Sequence, residues 1–78
     1  MSEFTPQSAA EVTEEMVLAA LDLADSFYGK SRIDWDGLLY RLDGFELEDG
    51  RTLYMPDEMT DPAIIALKKR VNAYRRAG

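Results

Sequence analysis

Phe45-Glu46-Leu47-Glu48-Asp49-Gly50-Arg51-Thr52-Leu53-Tyr54-Met55 decides the fold. Apolar and polar residues alternate on both sides of Asp49-Gly50, the strongest short-range signal for a β-hairpin. Two registers fit. A two-residue turn at Asp49-Gly50 puts Phe45, Leu47, Thr52 and Tyr54 on one face. A three-residue turn with a bulge at Gly50 gathers Phe45, Leu47, Leu53 and Met55, the more apolar set. One residue of slip separates them and exchanges the two faces. Pro56 ends the second strand.

Upstream, residues 32–43 read as a helix. Trp35, Leu38, Leu39 and Leu42 recur at i, i+3, i+4 and i+7. Ser31 and Asp34 have the spacing of a capping box. Gly37 costs about 1 kcal/mol relative to Ala, and Gly44 supplies the stop. Ile33 and Tyr40 fall on a second face of this helix, which must pack on another element or on a partner; packing against the first or third helix is the simpler account. Residues 13–28 read as an earlier helix, with Thr13 as N-cap, Glu14 and Glu15 at the positive end of the dipole, and Gly29 beyond the last turn. Its apolar half carries Met16, Val17, Ala20, Leu21, Leu23, Ala24, Phe27 and Tyr28. Its acidic half carries Glu14, Glu15, Asp22 and Asp25, with Leu18 in their midst. The short link predicts a tight corner or an antiparallel pair. Residues 1–11 are polar and aperiodic, are interrupted by Pro6, and are expected to form a flexible tail.

Downstream, residues 62–76 read as a third helix. Asp61 is the N-cap and Pro62 the first helical residue. Met59 is placed to touch Ile65 in a staple. Ile64, Leu67, Val71 and Tyr74 form the apolar stripe. The expected fold is a small α+β domain over residues 12–78, with three helices around a two-stranded antiparallel hairpin in the order α-α-β-β-α. The aromatic residues are expected mostly in the core.

The chain has 78 residues, 15 acids, 9 bases, no histidine and no cysteine. That excludes disulfides, Ser-His and Cys-His catalysis, and zinc sites built on Cys and His. No apolar run approaches the roughly 20 residues of a membrane span, and no signal segment is apparent. Arg outnumbers Lys six to three, while Asn and Gln appear once each. This usage suits a bacterial or phage accessory protein in the cytoplasm, or in the virion if phage-encoded. Charge is segregated. Residues 1–61 carry 15 acids and 4 bases, a balance of −11, whereas residues 62–78 carry 5 bases and no acid, a balance of +5.

Carboxylates are the only plausible catalytic groups, and none has a convincing arrangement. Asp34 and Asp36 diverge on a helix. Glu46 and Glu48 read better as solubility charge, with a Glu48–Arg51 cross-strand pair. Asp34-Trp35-Asp36-Gly37 opens like a calcium loop, but Leu38 and Tyr40 stand where ligands belong. No catalytic residue, cofactor or metal is expected.

The expected function is therefore binding, as a small acidic interaction or regulatory protein, such as an inhibitor. Glu14, Leu18, Asp22 and Asp25 are the candidate contact for a protein partner, an apolar centre with an acidic rim. The acids would act in addition as a nucleic-acid mimic if they form one continuous face. One alternative is nucleic-acid binding through Lys68, Lys69, Arg75 and Arg76 on the third helix. The first two helices and the hairpin have a winged helix-turn-helix spacing, but Asp34, Asp36 and Asp43 suit DNA poorly. A further alternative is a structural subunit or homodimer that self-associates through an open hairpin edge.

Overall fold

Gly50 settles the hairpin register. Its φ of +89° lies in the left-handed region that favours glycine. In the computed structural model, which describes residues 2–77, the Gly50 amide donates to the Leu47 carbonyl at 2.9 Å, and the Leu47 amide donates to the Arg51 carbonyl at 2.8 Å. The three-residue turn with a glycine bulge is thus the one adopted. Strands β2 (Phe45–Glu46) and β3 (Thr52–Leu53) pair antiparallel, with Phe45 opposite Leu53 and Glu46 opposite Thr52. Leu47, Leu53 and Met55 are buried, and Phe45 packs against them. Glu48 lies in the turn. Its amide donates to Glu15 Oε2 at 2.8 Å, while Arg51 pairs with Asp49 at 2.6 Å in place of the expected Glu48.

The expected flexible tail is instead part of the sheet. Residues Glu3–Phe4 form β1, parallel to β3, so the sheet has three strands in the order β1-β3-β2. The amides of Thr52 and Tyr54 on the outer edge of β3 donate to the carbonyls of Ser2 and Phe4, each at 2.9 Å. Unpaired strand edges seek such partners. Phe4 packs on the core beneath the Arg51 guanidinium, which stands 4.1 Å from the ring centroid, and Pro6 is buried. The two-stranded hairpin of the sequence reading is corrected accordingly, and one of the hairpin's two edges, that of β3, is paired with β1 of the same chain. A short 3₁₀ turn over Ala9–Glu11 leads into the helices.

Helix α1 spans Glu14–Phe27, with the Thr13 hydroxyl accepting from the Met16 amide. Helix α2 spans only Trp35–Leu42, three residues later than expected at its start. Asp34 is the N-cap residue, and the Ser31 capping box does not form. The Gly29 turn and an extended stretch fill residues 28–34, so a longer connection replaces the tight corner. At its other end Asp43 ties α2 to the sheet by accepting the Met55 amide at 2.9 Å. Helix α3 spans Pro62–Ala77 and is capped by Asp61 Oδ1 on the Ala63 amide at 2.9 Å. Met59 packs on the core while Ile65 stands exposed.

The core is aliphatic. Met16, Val17 and Ala20 of α1, Leu39 and Leu42 of α2, Leu53 of β3 and Ile64, Leu67 and Val71 of α3 meet in one cluster. The aromatic residues lie around it, contrary to expectation: Phe4, Trp35 and Phe45 are half-buried, and Phe27, Tyr40, Tyr54 and Tyr74 are exposed. Ile33 packs on this core from the linker. Tyr40, predicted to share a packed face with it, is 80% exposed. The architecture is a small α+β domain, three helices against a three-stranded mixed sheet. Among the described residues, no helix is long and apolar enough to cross a membrane.

Candidate interaction surfaces

The opposite charges of the two chain segments meet along α1 and α3. The Arg70 guanidinium donates to the Val12 carbonyl and to Glu14 Oε1, both at 2.6 Å. The Tyr74 hydroxyl donates to the other Glu14 oxygen. That hydroxyl and then the Arg70 charge hold the Glu14 carboxyl below its ordinary range, and the same bond pushes Tyr74 up. Arg75 binds the far end of α1. It donates to Asp25 Oδ1 at 3.1 Å, to the Gly29 carbonyl at 2.7 Å and to the Ser31 carbonyl at 3.1 Å. A cation at a helix C-terminus also complements the dipole. Its side chain is only 18% exposed.

The predicted acidic surface is therefore assembled but partly spent. Glu14, Leu18, Asp22 and Asp25 all lie exposed on one side of α1. Leu18 is 47% exposed, with carboxylates one turn before and one turn after it. Glu14 and Asp25, however, already serve Arg70 and Arg75. Glu11, Glu15, Asp43, Asp49 and Asp61 likewise accept backbone amides. Carboxylates engaged in this way hold the fold together and do not form an open polyanionic face.

A second surface of the same design lies on α2. Asp36, Tyr40 and Asp43 recur at i, i+4 and i+7, and line a cleft of about 220 Å³ with Met55, Pro56, Asp57 and Met59. The sequence points to Tyr40 as packing on another element or on a partner, and the simpler of the two, packing within the fold, is not what the structure shows. The signal was the spacing of two acids around an aromatic residue on one helical flank.

The four predicted basic residues separate into two pairs. Lys68 and Arg75 line a groove of about 640 Å³ facing the α1–α2 linker. Lys69 and Arg76 are both exposed, about 100° further around α3, and Arg76 lines the adjoining cleft with Lys30, Asn72, Arg75 and the acidic Asp25. The linker contributes Lys30 and Arg32 to the groove, and α2 contributes Trp35, whose ring centroid lies 5.8 Å from Lys68 Nζ. Sequence reading missed these three because they stand far from α3 in the chain. Among the described residues, no group of three or more acidic, His or Cys side chains is placed to hold a metal ion.

No family model, curated protein or solved structure matches this chain. Its function has to be argued from these surfaces.

Proposed function

We propose that this chain is a non-catalytic interaction protein that binds a protein partner carrying basic residues. The supporting observation is a pattern that two helices repeat. A large apolar side chain stands exposed with carboxylates a turn away on either side: Leu18 between Glu14 and Asp22 on α1, and Tyr40 between Asp36 and Asp43 on α2. Exposed apolar centres with charged rims are the usual anatomy of small interfaces. Tyrosine is also among the residues enriched at binding hot spots. Because Glu14 and Asp25 already neutralise arginines, the apolar anchors carry the reading, and continuous nucleic-acid mimicry does not. The composition supports a bacterial or phage regulatory protein working in the cytoplasm or the virion.

The experiment is capture from the source cell with the wild-type chain, Leu18→Arg and Tyr40→Arg, followed by mass spectrometry. A specific basic protein retained by the wild type and lost from folded Leu18→Arg is the expected result, with Tyr40→Arg reporting whether α2 takes part. Equal retention by both variants contradicts the assignment.

A further inference from the structure

We infer that the groove between α3 and the α1–α2 linker binds single-stranded nucleic acid, along its phosphodiester backbone. Lys30, Arg32, Lys68 and Arg75 line it together with the polar Asn72 and the indole of Trp35, and no carboxylate does. This is a local reversal of sign on a chain of formal charge −6. Asp25 is already bonded to Arg75.

The four cations divide their work. Arg75 is a positioning residue: its bonds to the Gly29 and Ser31 carbonyls fix the linker backbone. Lys30 and Arg32 are thereby held on the rim, both exposed, opposite the half-buried Lys68. Three side chains thus remain to meet phosphates. Trp35 contributes a half-buried ring that packs on the core and lies under Lys68 Nζ, and an aromatic residue beside a cationic track is how single strands are held without base reading. A duplex fits less well. Asp34, the N-cap residue of α2, and Asp36 flank Trp35, and both are exposed, so a second strand's phosphates would meet carboxylates. Fixed cations alone would serve an acidic peptide equally, and Trp35 favours the nucleic acid.

Trp35 is the sole tryptophan, so its fluorescence reports on the groove directly. The test titrates the full chain with oligothymidylate and oligouridylate of about 15 nucleotides at roughly 20 mM salt. Saturable quenching with either sugar is expected. With three phosphate contacts, log K should fall against log salt with a slope of about −2. Lys68→Gln and Arg32→Gln should each reduce that slope by about 0.7, and weaken binding several-fold. Lys69→Gln, on the outer flank, should leave both unchanged. Lys30→Gln alters an exposed side chain with no hydrogen bond or ion pair among the described residues and repeats the test with little risk to the fold.

Four results would each overturn the inference. One is the absence of quenching at low salt. Another is a loss from Lys69→Gln equal to that from Lys68→Gln. The third is tighter binding of a duplex of the same length. The last is equal competition by poly-glutamate or tripolyphosphate, which would reduce the groove to an unselective anion site.

Discussion

Arg70 and Glu14, 56 residues apart in the chain, meet at 2.6 Å. The same guanidinium holds the Val12 carbonyl, where the 3₁₀ turn gives way to α1. Two of the five C-terminal cations, Arg70 and Arg75, are thus paired with α1, and what remains defines the surfaces that face outward.

Arg70→Ala removes a charge-assisted bond to the carbonyl of a buried residue. An exposed ion pair adds little, so the loss should come mainly from the Val12 contact, about 1 kcal/mol in urea unfolding. Glu14→Gln should cost clearly less. Equal losses would move the weight to the ion pair.

Stability should depend on pH through the Glu14–Tyr74 contact. The Glu14 carboxyl is depressed below its ordinary 4.5, so its contribution is present above that value and fades as pH falls through the folded-state pKa. Tyr74 is raised above its ordinary 10.0, so its contribution is present below 10 and fades as pH rises through the folded-state pKa. Tyr74→Phe should abolish the alkaline loss and reduce the acid one. Urea midpoints measured across pH for both proteins check this, and an unchanged alkaline limb would contradict it.

The N-terminal strand should matter to the whole fold. Phe4→Ala removes a half-buried ring from the core margin and loosens the strand that covers β3. The expected loss is roughly 2 kcal/mol, below that of a fully buried phenylalanine. Exchange of the Thr52 and Tyr54 amides should accelerate with it. Unchanged protection at both amides would show that residues 2–4 do not pair with β3.

Gly37→Ala should fail to stabilise α2. Helix propensity alone favours alanine by about 1 kcal/mol. A Cβ at this position, though, would lie 2.8 Å from the Tyr28 hydroxyl oxygen, which donates to the Asp34 carbonyl at the helix start. In a Tyr28→Phe background the alanine gain should return. A full gain with Tyr28 intact would contradict the contact.

Local chemistry made much of this legible. The hairpin and its two candidate registers could be read around Asp49-Gly50, though the choice between them could not, and the caps at Thr13 and Asp61 stand where the sequence placed them. Long-range contacts were not legible. Phe4 and Pro6 are two apolar residues in a polar segment, and backbone pairing with β3 leaves no side-chain pattern. Ser31 looked like a cap, but the tertiary bond from Arg75 to its carbonyl goes with an extended linker. The exposure of Leu18 could be read from the helical wheel. The engagement of Glu14 and Asp25, and the union of Lys30 and Arg32 with Lys68, depend on helices crossing in space.

The central claim is that this protein acts by binding a protein through the exposed face of α1. Titration of the captured partner into isotope-labelled protein, followed residue by residue by NMR, tests it most directly. The account predicts shifts or broadening concentrated at Glu14, Leu18, Asp22 and Asp25, and their loss in Leu18→Arg. Saturating partner that leaves those four residues unchanged would contradict it.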